Sequence, residues 1–209
     1  MQIDVRPPPD YNHFDDKNIC SRERNPDMAL RQIITIGDPR LRKKARKVTN
    51  FGPELGQLID DMIETMRAAP GVGLAAPQIA VSERVIVVEV PKDEEDPEAG
   101  TLLFEMVNPE IVKMNREVVE EDEGCLSIPG YVGAVPRATM IVVRGQDRFG
   151  RPQRVRAYDY LARVFQHEID HLDGVLFIDR VTSPEKIREV KRGEELEGEA
   201  AEAAAALPT

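Results

Sequence analysis

The stretch QHEIDHLDG, residues 166–174, carries two of the three histidines of the chain, and they stand four residues apart. Residues at this spacing share one face of an α-helix, so His167 and His171 can bind one metal ion together. Glu168 follows the first histidine directly and can reach a water molecule on such an ion, which makes it a candidate general base. Apolar neighbours predict that the helix is buried: Leu161, Val164, Phe165 and Leu172.

The pattern H-E-x-x-H also occurs by chance, and a catalytic metal site needs a third protein ligand. The residues alone leave two sources open. One source is downstream, where a glutamate would give the site of a zinc endopeptidase; the candidates are Glu185, Glu189, Glu194 and Glu195. The other is Cys125, in the glycine-flanked, turn-like segment 120–130, although a lone cysteine is most often a small buried hydrophobic residue. A structural ion is a further alternative, but it needs a fourth protein ligand, and the sequence offers no good one.

Composition limits the function classes. The 209 residues carry a formal net charge of −10, which argues against a general nucleic-acid binder. Two cysteines are too few for a secreted disulfide scaffold, and no apolar run approaches the length of a membrane span. The acidic N-terminal stretch lacks the apolar core of a signal peptide. We therefore expect a cytoplasmic protein that does not enter membranes, in a reducing environment where a thiolate can serve as a metal ligand.

Three regions of the chain differ in character. Residues 1–27 are polar, with prolines and no sustained period, and predict an extension in which His13 and Cys20 are ordinary surface residues. Residues 28–192 carry a regular pattern and predict one catalytic domain. Residues 193–209 are acidic and rich in alanine and predict a tail.

Apolar periodicity within the domain predicts an α+β fold, because strands come first and two helices follow. An amphipathic N-terminal helix is predicted over residues 53–69 and should stop at Pro70-Gly71. Four β-branched segments predict strands, and the last two should form a hairpin: 84–90, 102–112, 139–147 and 153–158.

Two further helices are predicted in the C-terminal part of the domain. The helix that holds H-E-x-x-H should begin at Asp159 or Tyr160 and end at Gly174. A C-terminal helix should begin with Ser183 as its cap and Pro184 in its first turn.

Three segments, taken together and in order, resemble the motifs of the peptide deformylase family: GVGLAAPQ at 71–78, EGCLS at 123–127 and QHEIDH at 166–171. The likeness extends through flanking segments over most of the chain, and three motifs in order are far more specific than H-E-x-x-H alone. The family implies an α+β fold in which mixed or antiparallel β-sheets pack around a central H-E-x-x-H helix, with an N-terminal and a C-terminal helix.

The resemblance also implies roles for individual residues. It implies that the metal ligands are Cys125, His167 and His171. It implies that Glu168 is the general base and then the acid, and that the oxyanion donors are Gln78 and the backbone N–H of Leu126. The residues that it places around the substrate are Gly71, Val72, Gly73, Leu126 and Val164. A structural ion pair is implied behind the cysteine, between Glu123 and Arg137. The implied metal is one Fe²⁺ per chain, with Zn²⁺, Ni²⁺ or Co²⁺ as substitutes.

By the same resemblance, the substrate is the N-terminal formyl-methionine of a nascent polypeptide, and the product is formate. Some relatives touch the ribosome through their C-terminal helix, although the acidic end of this chain argues against contact with RNA. The family further implies a bacterial cytoplasmic enzyme, either a monomer or a weak dimer. Pro77 and Arg163 depart from the best-known bacterial members of the family. The stretches GYVGAVPRA at 130–138 and ARVFQHE at 162–168 resemble the subgroup that includes the mitochondrial forms, and these differences bear on the shape of the substrate pocket.

Overall fold

A computed structural model describes residues 30–92 and 100–190, and the structural statements below refer to these residues. They form two α-helices, eight β-strands and four short 3-10 turns. The helices are α1, Pro53–Ala68, and α2, Asp159–Leu172. The strands are β1 Gly73–Ala75, β2 Val85–Pro91, β3 Thr101–Met114, β4 Val118–Cys125, β5 Ile128–Ala138, β6 Met140–Gln146, β7 Pro152–Tyr158 and β8 Ile187–Glu189. Neither described helix has the length and apolar character needed to cross a membrane.

Helix α1 follows the apolar period of its sequence. Its buried apolar face consists of Leu55, Leu58, Ile59, Met62, Ile63 and Met66. Pro53 occupies the first turn, where the missing N–H is not needed by the helix, and the helix ends just before Pro70-Gly71. The buried face packs on Leu74, Val85 and Val87 of strands β1 and β2. The prediction for this helix is confirmed.

Two antiparallel sheets make up the β structure. The larger has the strand order β1-β2-β3-β6-β7, and the smaller has the order β4-β5-β8. The strands predicted from β-branched segments are β2, β3, β6 and β7, and the last two form the predicted hairpin. The α+β class is therefore confirmed, with antiparallel sheets.

Helix α2 contacts strands of both sheets. Every residue from Leu161 to Leu172 is buried. Phe165 and Ile169 belong to the same apolar cluster as Ile86 and Ile141 of the larger sheet. The polar residues of this span are buried with the apolar ones, so they must find partners inside the protein.

Residues 120–130, predicted to be turn-like, instead form much of a β-hairpin. Strand β4 ends at Cys125 and β5 begins at Ile128, which is its partner across the turn. Strand β4 is exposed from Val118 to Asp122, so it does not need the alternating apolar residues that mark a half-buried strand. Two of its carboxylates pair with cations just before and on β8: Glu120 with Lys186, and Asp122 with Arg188. Charge pairing thus replaces the apolar pattern from which a strand is usually predicted.

The predicted C-terminal helix is wrong over its described part. Pro184–Lys186 make a single 3-10 turn in which the Ser183 side chain does not cap the backbone. The chain then continues as β8, which pairs with Tyr131–Gly133 of β5. Pairing with an open sheet edge satisfies the backbone groups that a helix would have satisfied internally. The rest of that predicted helix, the extension at 1–27 and the tail at 193–209 lie outside the described residues.

Candidate active site

Cys125 and the two histidines of α2 meet where the β4–β5 turn approaches the helix. One ligand atom from each of Cys125, His167 and His171 can be chosen so that all three lie within 4.8 Å of one another. The sulfur lies 3.2 Å from His171 Nε2. Within residues 30–92 and 100–190 this is the only group of three or more His, Cys, Asp or Glu side chains that close together. Strand β4 delivers the cysteine, and the helical period delivers the histidines on one face.

The imidazole of His167 is oriented by a buried carboxylate. His167 Nδ1 lies 2.9 Å from Glu123 Oε2, so the ring N–H donates to the carboxylate and the other ring nitrogen is left for a ligand. Arg137 donates two hydrogen bonds to the same carboxylate, at 2.8 and 2.9 Å. Burial acts to raise the pKa of Glu123, but the hydrogen bonds from Arg137 and His167 outweigh it and lower the pKa to about 2. Glu123 is therefore an anion at any ordinary pH.

Glu168 stands beside this group in a different environment. Its Oε2 atom is buried and has no hydrogen-bond partner among the described residues. Burial raises the pKa of Glu168 to about 7. A carboxyl group with that pKa can both accept and return a proton near neutral pH. A Cβ atom on Gly73 would lie 2.4 Å from Glu168 Oε1, so only glycine permits strand β1 to approach the Glu168 side chain this closely.

Gln78 is held in a fixed orientation on the other side of the sulfur. It belongs to the 3-10 turn Ala76–Ile79 that follows β1. Its Oε1 atom accepts a hydrogen bond from Ala75 N–H at 2.8 Å, and its Nε2 atom donates to Ser127 Oγ at 3.2 Å. The same nitrogen lies 3.6 Å from Cys125 Sγ. These contacts direct the N–H₂ end of the amide toward the metal-binding group.

The other residues predicted to contact the substrate differ in their exposure and in their contacts. A Cβ atom on Gly71 would lie 2.7 Å from Leu126 Cδ1, so these two residues are neighbours beside the cysteine. Val72 is 39% exposed, and its carbonyl accepts a hydrogen bond from Glu89 N–H. Val164 is buried in the main apolar cluster with Phe165.

The glutamates considered as alternative metal ligands do not join the metal-binding group. Glu185 and Glu189 are exposed near the C-terminal end of the described residues, while Glu194 and Glu195 lie outside them.

Two polar residues behind the histidines have roles that were not predicted from the sequence: Asp170, and Arg163, which was associated with the substrate pocket. Asp170, within the motif itself, accepts a hydrogen bond from Arg137 Nη1 at 2.6 Å and also pairs with Arg180. Arg163, one helical turn before His167, donates to Glu123 at 2.9 Å. A charged residue amid apolar ones on a buried helix was the available signal, since such a residue must have an internal partner.

The chain is similar to known proteins over most of its length. The family model described as polypeptide deformylase matches residues 30–187. The peptide deformylase of Heliobacterium modesticaldum is 53% identical over 154 residues, covering 74% of this chain and 95% of the relative. That of Thermomicrobium roseum is 49% identical and covers 83% of this chain and 98% of the relative.

Solved structures give the same result. The peptide deformylase of Thermotoga maritima has a TM-score of 0.66 and 41% identity, over 74% of this chain and 99% of the other. The enzyme of Synechococcus elongatus in complex with actinonin has a TM-score of 0.66 and 40% identity, over 75% and 81%. With this fold, this candidate site and this similarity along most of its length, the chain belongs to the polypeptide deformylase family.

Proposed function

We propose that this protein is a metal-dependent peptide deformylase, which hydrolyses the formyl group from the N-terminal formyl-methionine of nascent polypeptides and releases formate. The observation that carries the proposal is the meeting of Cys125, His167 and His171 beside the buried Glu168. Membership of the family supports the proposal, because this chain matches relatives over almost the whole of their length.

The residues present fit a divalent metal ion. A thiolate and two imidazoles are three protein ligands, which is the number typical of a catalytic site that keeps a position open. The orientation of His167 by Glu123 is the arrangement expected of a metal ligand. We propose Fe²⁺ as the native ion, with Zn²⁺, Ni²⁺ or Co²⁺ as substitutes, since this donor set suits all of them. When bound, such an ion supplies Lewis-acid chemistry, polarising a carbonyl oxygen and making water more acidic.

Glu168 then serves as proton carrier. With a pKa of about 7 it is partly ionised at neutral pH and takes a proton from the attacking water. The oxygen of that water adds to the formyl carbon. When the C–N bond breaks, Glu168 returns the proton to the leaving amine, so formate and a free N-terminus are the products.

Gln78 and Leu126 act on the charge that develops on the formyl oxygen. The fixed Nε2–H₂ group of Gln78 and the backbone N–H of Leu126 are proposed as the donors to this oxyanion. We propose that Gly73 pairs with the substrate backbone, beside Gly71. The methionine side chain would contact Val72, Leu126 and Val164. An apolar pocket discriminates by only about 1–3 kcal/mol per methylene, so other apolar residues should be accepted more slowly.

Other features of the proposal reach beyond the site. We propose a cytoplasmic enzyme that acts on nascent peptides and is a monomer or weak dimer, without nucleic-acid specificity. A ribosome contact through a C-terminal helix would need residues beyond Val190, because Ile187–Glu189 form a strand.

Formate release from formyl-Met-Ala-Ser by protein purified without oxygen tests the proposal. Acetyl-Met-Ala-Ser is the matched control substrate, because it differs only in the acyl group. We expect formate from the first and no cleavage of the second. Cleavage of internal peptide bonds that persists in Cys125→Ala, with no formate, would instead support the zinc endopeptidase. A tightly held metal with no activity on any substrate would support the structural ion.

A further inference from the structure

Arg163 is buried on α2, with 6% of the residue exposed, yet its guanidinium makes contacts in several directions. Its side-chain partners are Glu121, through Nε at 2.9 Å, and Glu123, through Nη1 at 2.9 Å. Its backbone partners are the carbonyls of Val119 at 2.9 Å, Glu121 at 3.3 Å and Val135 at 2.9 Å. Nearly the whole hydrogen-bonding capacity of the guanidinium is therefore used inside the protein.

These partners lie on both strands of the β4–β5 hairpin. Val119 and Glu121 belong to β4, whose last residue is Cys125, and Val135 belongs to β5. Arg163 itself stands one turn before His167 on the helix. The guanidinium thus joins the element that delivers the sulfur to the element that delivers the imidazoles.

Glu123 provides a second connection to the same group. Its Oε1 atom accepts hydrogen bonds from Arg163 Nη1 and from Arg137 Nε. Its Oε2 atom accepts from Arg137 Nη2 and from His167 Nδ1. Two guanidinium groups therefore set the rotation of the carboxylate that orients the imidazole. Removing Arg163 takes away one of the four hydrogen bonds that hold the carboxylate and leaves those from Arg137 and His167.

A different residue type cannot reproduce this arrangement. A lysine has a single ammonium group, which cannot reach the carbonyls of both strands and two carboxylates at once. An apolar residue would fill the space but would remove the donor to the buried carbonyl of Val135 and to the buried carboxylate of Glu123. The guanidinium of Arg163 is therefore needed for the contacts with both strands of the hairpin.

We propose that Arg163 is a positioning residue of the metal centre: it fixes the β4–β5 hairpin and Glu123 against α2 and so sets the mutual geometry of Cys125 and His167. The inference rests on the metal-binding group of the proposed function. It does not depend on which bond the enzyme hydrolyses.

The test uses the full-length chain loaded with Co²⁺, whose visible absorption reports on the geometry of its ligands. Arg163→Met and Arg163→Lys are compared with Arg148→Met. Arg148 is a matched control, because its side chain is 10% exposed, against 7% for Arg163, and it is also paired with two carboxylates, Glu105 on the larger sheet and Asp60 on α1. Three readouts are recorded: the Co²⁺ spectrum, the rate of Co²⁺ release to a chelator, and the thermal unfolding of the metal-free protein.

We expect both Arg163 variants to show an altered Co²⁺ spectrum. They should also release Co²⁺ about 10–100-fold faster, which is the size of effect seen when hydrogen-bond partners of metal ligands are removed. Arg148→Met should lower the unfolding temperature while leaving spectrum and release rate unchanged. If Arg163→Met does not fold, Arg163→Lys decides, since it retains the charge and most of the volume. An unchanged spectrum and release rate in a folded Arg163 variant would overturn the proposal. Failure of the wild type to release formate would count against the proposed function only, because the Co²⁺ readouts are independent of it.

Discussion

The two elements that form the metal-binding group are stabilised by different forces. Helix α2 is buried along its length and packs through apolar residues such as Phe165 and Ile169 on the larger sheet. The β4–β5 hairpin is largely exposed on β4 and is joined to its surroundings by ion pairs, including Asp122 with Arg188 and Glu121 with Arg163. The helix therefore provides a rigid base for the proton carrier, and the hairpin carries a ligand whose position depends on directed polar contacts. We therefore expect substitutions on α2 and on the β4–β5 hairpin to have different effects.

The largest effect separates the chemistry of the helix from that of the hairpin. Glu168→Gln should lower kcat by about 10²–10⁴-fold, because the proton carrier is lost, while the metal content stays at the wild-type value. Cys125→Ala should lose the metal as well as the activity, because a ligand is lost. Metal analysis beside formate release checks both variants. Equal metal loss in Glu168→Gln and Cys125→Ala would contradict the assignment of Cys125 as a ligand and of Glu168 as a proton carrier only.

Packing on the helix side should dominate folding stability. Phe165→Ala removes a fully buried ring from the main apolar cluster and should lower the free energy of unfolding by about 3–5 kcal/mol. Denaturant unfolding of the metal-free protein measures this. A loss below about 1 kcal/mol would contradict the view that α2 is held by apolar packing.

The approach of β1 to the helix should be sensitive to a single methyl group. Gly73→Ala would place a Cβ atom 2.4 Å from Glu168 Oε1, so the carboxylate must move. A displacement of about 1 Å can lower activity by about 10²-fold, and we expect a loss of this size in kcat/KM. The control is Gly56→Ala on α1, where a Cβ atom would meet nothing within 4 Å. That variant should keep full activity and gain about 0.5–1 kcal/mol of stability. Equal activity of the two variants would contradict the close approach.

The smallest effect is expected on the exposed side of the hairpin. Arg188 is 57% and Asp122 41% exposed, so Arg188→Ala should change the free energy of unfolding by about 0.2–1 kcal/mol. The difference from wild type should shrink at high salt, because exposed ion pairs are screened. A loss as large as that of Phe165→Ala would mean that the hairpin depends on its exposed pairs far more than their exposure allows.

The sequence predicted the elements whose apolar pattern is complete. Both α1 and α2, and strands β2, β3, β6 and β7, were recognisable because their apolar residues follow a regular pattern and are buried in the core. Strands β1, β4, β5 and β8 were not predicted. For β4 and β8 the reason is that Glu120 and Asp122 pair with Lys186 and Arg188 across β5, in place of an apolar face. A pair of complementary charge runs some 65 residues apart cannot be distinguished in one sequence from solvated surface.

The candidate site was predictable in part. The spacing of His167 and His171 placed two ligands, but the choice of Cys125 over a downstream glutamate came from the family resemblance. No local pattern connects residue 125 with residue 167, because the fold alone brings them together. The contacts of Arg163 were beyond prediction for a related reason: three of its partners are backbone carbonyls, which every residue possesses.

Titration of metal-free protein with Fe²⁺ in the absence of oxygen shows whether Cys125, His167 and His171 hold a catalytic metal ion; formate release from formyl-Met-Ala-Ser is the readout. We expect no formate without the ion, activity that rises to a plateau at one equivalent, and no activity at any ratio for Cys125→Ala. Formate release that is independent of metal, or equally metal-dependent in Cys125→Ala, would contradict that assignment of the metal ligands.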